Sequence, residues 1–421
     1  AVPVARTVPA RRSRRRLPGI SPTDFSRARR VQCRYAVTLD EIVARAEALY
    51  ADTELRTLAR WKEGGGRVVG VAPAYVPSEI VDAAGALPAH LVGGGPGLDV
   101  VQGDAFFQSA ICHLPRSLVD LGVRGALDAL DLLVVPSTCD VLRNLTGVWR
   151  LLWPDRPVFF LDLPQRTDAE GVAFYREQLA RLLAEVARVT GATVSTDDLR
   201  RAIGVANQRR MLLGELGELR IAEPAHVPAS ELHLVVRAGA LLPPREHVEM
   251  LESYLHVCRT TPRPRLDVAR VLLRGAFCEQ PPIGFLRTLE RAGCAVVDDD
   301  LLLGLRWFGR PVDMVDEPLD ALAVAYVCQS PPASCRYDRA GDRPAALVDA
   351  ARASRAQGVL LAAPSFCDMA LLDRPALLQA LESAGIPSVQ LQYAENSADF
   401  GAVREQAGTF ADALRLWQDL A

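Results

Sequence analysis

Leu132-Leu133-Val134-Val135-Pro136-Ser137-Thr138-Cys139-Asp140 is the stretch that decides the fold. Its apolar opening fits a strand buried on both faces. The Pro-Ser-Thr-Cys-Asp run then fits a strand giving way to a helix that opens Asp140-Val141-Leu142-Arg143-Asn144. The pattern returns late in the chain. Residues 358–363 read as a strand, and Pro364-Ser365-Phe366-Cys367-Asp368 follows its carboxyl end. Cys112 opens a third helix-like stretch, His113-Leu114-Pro115-Arg116-Ser117-Leu118. Ligands of open α/β sheets bind outside the carboxyl ends of the strands. Three thiols so placed, two in the first half and one in the second, point to a shared metal site in a cleft.

Outward from Cys139, strands alternate with helices. Residues 67–72, 88–92 and 157–161 read as strands, and 78–86, 112–130 and 140–152 as helices. A leading helix is expected after Thr38-Leu39-Asp40-Glu41. It places Ile42, Ala46 and Leu49 on one face and runs up to Gly64-Gly65-Gly66. Residues 168–262 carry helical periodicity without intervening strands, and Thr260-Thr261-Pro262-Arg263-Pro264-Arg265 reads as a linker. Strands are then expected at 268–274, 294–297, 358–363 and 387–392, and helices at 282–292, 318–327, 343–357, 374–384 and 402–420. The fold class is α/β: two Rossmann-like parallel-sheet domains joined by a helical segment. The expected divisions are a basic disordered tail at 1–36, a first α/β domain with its leading helix at 37–167, a helical insert or bridge at 168–262 and a second α/β domain at 263–421.

Bulk composition excludes several classes. The chain of 421 residues is 49% hydrophobic and 24% charged with a net charge of −3, so no global field draws it to nucleic acid or to a membrane. The run Arg11-Arg12-Ser13-Arg14-Arg15-Arg16 is local to the tail and reads as a disordered extension or a mis-called start in preference to a transit peptide or nucleic-acid arm. No apolar run has the length of a membrane span, and no apolar signal segment follows the start, so a cytoplasmic protein is expected. Gly93-Gly94-Gly95-Pro96-Gly97 lacks the Lys-Ser/Thr of a phosphate loop and reads as a simple loop.

Nine cysteines, none in a CxxC pair, argue against a disulfide scaffold or a zinc ribbon. Three thiolates can hold a [4Fe–4S] cluster and leave one iron for another ligand, and helix N-termini favour the thiolate form. Cys33, Cys258, Cys278 and Cys294 read as small buried or tail residues. Cys328 and Cys335 flank a Pro-rich loop that could also approach the cleft.

Several phrases together resemble the family of benzoyl-CoA reductase and 2-hydroxyacyl-CoA dehydratase cluster-binding subunits. They are Val69 through Glu79 with Ala83-Ala84-Gly85-Ala86-Leu87-Pro88, Cys112-His113, Pro136 through Asn144, Arg274-Gly275 to Pro282, Val297-Asp298-Asp299-Asp300, and Ser365-Phe366-Cys367-Asp368. The stretch from Cys112 through Trp149 is most similar to the benzoyl-CoA reductase branch. Ala74 stands where the family has Ser before Tyr75.

The resemblance implies a [4Fe–4S] cluster on Cys112, Cys139 and Cys367, a homologous second catalytic subunit, and an ATP-hydrolysing iron–sulfur activator that donates low-potential electrons. The implied substrate is an acyl-CoA thioester, either reduced in its aromatic ring or, in the dehydratase branch, dehydrated through a radical. A non-catalytic homologue and a double-cubane reductase are the other readings. His113, beside Cys112, is a candidate proton donor or a second-layer histidine. Tyr75 and Glu79, after the first strand, are candidates for contact with the substrate or with the surroundings of the cluster, or Glu79 stabilises a helix start. Asp140 and Asp368 read as helix caps, and Asp298-Asp299-Asp300 as a polar turn.

Overall fold

The structure, a computed structural model, describes residues 37–418 except 96, 109, 265–266, 276–277, 307–309, 315–316 and 338–340. The basic tail and Cys33 lie outside the described residues. Among the described residues two helices come first, α1 (Leu39–Tyr50) and α2 (Arg56–Glu63). The single leading helix expected from sequence is interrupted between them. The Asp52 carboxylate accepts from the backbone N–H of Arg56 and of Thr57, both at 2.8 Å, so it starts a new helix where one was expected to continue.

The first sheet contains β1 (Val68–Val71), β2 (Leu87–His90), β3 (Leu132–Pro136) and β4 (Val158–Leu161). Its crossovers carry α3 (Ser78–Ala83), α4 (His113–Val123) and α5 (Asp140–Leu152), and α6 (Ala169–Thr190) follows β4. Helices α7 (Thr196–Ala222), α8 (Ala229–Ala238) and α9 (Pro244–Thr260) lead to the second sheet. That sheet contains β5 (Ala269–Arg274), β6 (Cys294–Asp299), β7 (Gly358–Pro364) and β8 (Ser388–Tyr393). Its helices are α10 (Ile283–Arg291), α11 (Leu303–Arg306), α12 (Pro318–Val324), α13 (Asp342–Ala353), α14 (Asp368–Ser383) and α15 (Gly401–Gln418). Residues Ala325–Gln329 extend α12 as one π-helical turn.

Every strand pairing is parallel, and the two sheets share one topology, β2-β1-β3-β4 and β6-β5-β7-β8. β1, β2, β3 and β7 are buried along their whole length, as strands covered on both faces must be. In each sheet the order reverses beside the first strand. The switch points therefore lie at β1/β3 and β5/β7, and the loops leaving those four strands are where a Rossmann-like sheet exposes its binding crevice.

Several boundaries differ from expectation: the helix expected over 112–130 ends at Val123 and the one over 343–357 at Ala353, and two further differences have plain physical reasons. Helix α14 begins at Asp368, directly after Cys367, and carries Pro375 inside it. Proline suits the first turn of a helix, which placed the expected start at Arg374. Asp298 and Asp299 are the last residues of β6 rather than a turn. Asp299 takes Arg220 and Arg306, each at 2.6 Å, and Asp298 pairs with Arg274. Burial alone would raise the pKa of Asp299, but the two arginines hold it well below the usual carboxylate range.

The halves exchange packing. Leu319, Leu322 and Tyr326 join the core around the first sheet, while Ile42 and Ala46 of α1 join the core around the second. Among the described residues, no helix is long and apolar enough to cross a membrane.

Candidate functional site

Cys112, Cys139 and Cys367 occupy one local position: each is the residue before the first turn of a helix, α4, α5 and α14 respectively. A Ser or Asp there would spend its side chain on the helix's free N–H groups. None of the three cysteines makes a conventional side-chain cap bond. Burial pushes all three thiols up, Cys367 to about 12. Backbone N–H groups of Val141 and Leu142 oppose this at Cys139, and that of Ala370 at Cys367. The thiols also act on each other: Cys112 feels Cys367 and Cys139, and Cys367 feels Cys139. Both sheets thus deliver thiols to one buried place, neutral in the absence of a cation and poised to lose protons to one.

Among the described residues, no three His, Cys, Asp or Glu side chains converge as ligands of a single metal ion. A multi-iron cluster makes a different demand, because its thiolates bind separate irons and need not meet at one point. An all-thiol donor set on helix N-termini fits that demand.

Three residues that sequence reasoning left out belong to this place. Cys278, read as a structural residue, is buried, and its Sγ lies 3.9 Å from the Thr138 hydroxyl. Cys139, Cys367 and Cys112 all contribute to raising its pKa, after burial. Glu279 accepts from the backbone N–H of His113 at 2.5 Å and from that of Glu395 at 2.7 Å. Burial, then the Glu395 charge, raises the Glu279 carboxyl to about 7. Glu395 Oε2 lies 3.2 Å from Nδ1 of His113, and its Oε1 accepts from the N–H of Gly95.

The glycine run after β2 is therefore more than a simple loop. Gly93 has φ +93°, and a Cβ there would stand 2.2 Å from both Glu395 carboxylate oxygens. Topology was the available signal for Cys278 and Glu395, because they follow the carboxyl ends of β5 and β8.

Of the other candidates, His113 is placed at the site. It is buried, and its Nε2 has no partner among the described residues. Tyr75, at φ 64°, is buried with its ring 5.7 Å from that of Tyr326, and its carbonyl accepts from Tyr175. Burial, then Cys335, Tyr326 and Cys278, pushes its hydroxyl well above its ordinary range. Glu79 points elsewhere: it pairs with buried Arg210 on α7. Burial would raise its pKa, but Arg210 brings it down overall. Cys335 is buried, and burial, then Cys139 among its neighbours, raises its thiol, whereas Cys328 is exposed. A surface cavity of about 760 Å³ beside Arg45, Trp61 and Glu246 has none of the thiols in its lining.

The model of the family described as 2-hydroxyglutaryl-CoA dehydratase, D-component, matches residues 73–414, which hold every residue of this site. The chain belongs to that family. Among its relatives, a benzoyl-CoA reductase subunit of Thauera aromatica is 40% identical over 381 residues, 90% of this chain and 99% of the relative. The beta subunit of (R)-2-hydroxyglutaryl-CoA dehydratase from Acidaminococcus fermentans is 29% identical over 364 residues, 85% and 95% of the two chains. The beta subunit of lactoyl-CoA dehydratase from Anaerotignum propionicum is 25% identical over 356 residues, 84% and 93%. The chain is thus a subunit of the benzoyl-CoA reductase or 2-hydroxyacyl-CoA dehydratase type.

Proposed function

We propose that this chain is an iron–sulfur subunit in the catalytic core of an ATP-dependent benzoyl-CoA reductase-type enzyme, acting on an aromatic acyl-CoA thioester. The observation that carries the reading is the arrival of Cys112, Cys139 and Cys367 from both sheets at one buried place, each at a helix start. Those three residues hold a [4Fe–4S] cluster, which when bound supplies low-potential single electrons. Net charge near a cluster tunes its potential, and the buried Glu279 and Glu395 side chains are the groups placed to do so here.

His113 holds a proton beside Cys112 and is oriented by Glu395 through Nδ1. Tyr75 closes the first-sheet side of the site, against Tyr326. Glu79 positions α3 through Arg210. The partners are a homologous second subunit and an ATP-hydrolysing iron–sulfur activator, in the cytoplasm. The divisions 37–167, 168–262 and 263–421 act as two sheet domains and their helical bridge, so that movement between the sheets changes access to the thiols. Radical dehydration of a 2-hydroxyacyl-CoA is the second reading, favoured by the dehydratase beta subunits among the relatives.

The test is anaerobic assembly with the partner subunit and activator, followed by ATP-dependent turnover. Loss of the aromatic absorbance of benzoyl-CoA is the expected result. Turnover of 2-hydroxyacyl-CoA to enoyl-CoA, with benzoyl-CoA untouched, overturns the proposal in favour of the second reading.

A further inference from the structure

We propose that Cys278 is a fourth thiolate of the cluster site, so that this chain's cluster has no iron open to substrate. The inference rests on the function proposed above and assigns this subunit a place within it.

Cys278 sits at the switch point of the second sheet. Strand β5 pairs with β7, with Arg274 beside Leu361, and Cys367 follows β7 just as Cys278 follows β5. The chain leaves β5 through Gly275, at φ +109°, where a Cβ would stand 2.8 Å from the carbonyl oxygen of Ala362. Only glycine lets the loop cross β7 so closely. The loop is then fastened on the far side of Cys278. The Tyr393 hydroxyl donates to the Glu279 carbonyl at 2.8 Å, Glu279 accepts from His113 and Glu395, and the Leu302 N–H donates to the Gln280 side chain at 2.7 Å. Cys278 is held in place by its neighbours rather than left to the loop's freedom.

Its surroundings separate it from an ordinary buried cysteine. The hydroxyl 3.9 Å from its sulfur belongs to Thr138, the residue before Cys139. The carboxylate next in sequence binds the backbone of His113, the residue after Cys112. The dipeptide Cys278-Glu279 therefore spans both cysteine phrases of the first sheet while lying beside the cysteine phrase of the second. Cys335, the other buried thiol nearby, has its backbone carbonyl held by the Gln165 side chain at 3.0 Å rather than by either cysteine phrase of the first sheet.

On binding, the Cys278 thiol gives up its proton, an iron–sulfur bond forms, and the non-protein ligand of the fourth iron leaves. No change of oxidation state is involved. A four-thiolate cluster relays electrons, and the acyl-CoA then reacts in the partner subunit.

The test uses the full-length chain, reconstituted anaerobically with iron and sulfide, before and after mild ferricyanide oxidation. An iron without a thiolate is the one lost first. The native chain is expected to keep about four irons and to give no three-iron EPR signal. Cys278→Ala is expected to lose one iron per cluster and to give that signal. A native cluster that itself yields the three-iron signal overturns the inference, as does a Cys278→Ala cluster that resists oxidation as the native one does. Should Cys278→Ala bind no cluster, the native measurement decides alone. A native chain that binds no four-iron cluster instead overturns the proposed function.

Discussion

Gly93 is the residue through which the glycine loop's grip on the site can be measured. Replacing it with Ala adds one carbon, 2.2 Å from both oxygens of the Glu395 carboxylate, at a backbone φ of +93°. The left-handed backbone with a Cβ costs about 1–2 kcal/mol. The carboxylate must also move, which breaks its bond from the Gly95 N–H and its contact with His113 Nδ1. Losing a hydrogen bond to a charged group costs about 1.5–3 kcal/mol, so Gly93→Ala should destabilise the chain by about 2.5–5 kcal/mol. Gly97→Ala, in the same loop, is the control. A Cβ there meets nothing within 4 Å, and the change should stay within about 0.5 kcal/mol. In a Glu395→Ala background the collision disappears, and Gly93→Ala should cost only the backbone part, about 1–2 kcal/mol. Urea unfolding of the four variants and the parent measures the cycle. Equal effects of Gly93→Ala and Gly97→Ala, or no coupling between Gly93 and Glu395, would refute the reasoning.

Burial lowers His90, His233 and His247 from 6.5 to about 3, so each contributes stability that is present above pH 6.5 and lost as pH falls toward 3. At pH 5 the loss is about 2 kcal/mol per histidine. It outweighs the opposite contribution of Glu279, at most about 3 kcal/mol, which is full below about pH 4.5 and lost as pH rises through about 7. The metal-free chain should therefore have lower urea midpoints at pH 5 than at pH 7, and His233→Leu should shrink that difference by about 2 kcal/mol; an unchanged difference would count against the histidine account. Glu79→Ala leaves Arg210 buried without its carboxylate and should cost about 3–5 kcal/mol with bound iron per folded chain unchanged; loss of iron from a chain that remains folded would return Glu79 to the thiol site.

What the sequence made legible was local. Residues 132–136 and 140–152 are bounded as expected, because an unbroken apolar run and a helix start admit few other readings. The parallel topology followed from alternation. Cys112, Cys139 and Cys367 stood out because each lies in a strand-to-helix phrase, and the structure puts all three at helix starts.

Cys278 gave no such signal. The helix after it begins only at Ile283, so its place depends on the pairing of β5 with β7. Glu395 meets a glycine 300 positions away, and no local periodicity encodes that contact. Asp298-Asp299-Asp300 reads as a turn until Arg220 on α7 is found against Asp299, since three acids in a row suit water better than a strand.

The central claim is that Cys112, Cys139 and Cys367 together hold one cluster. Iron and acid-labile sulfide analysis of the anaerobically purified chain and of its Cys139→Ala variant tests it most directly. The predicted result is about four irons per chain in the parent and loss of the cluster signal in the variant. A parent without iron, or a variant with the parent's full iron content and spectrum, would contradict it.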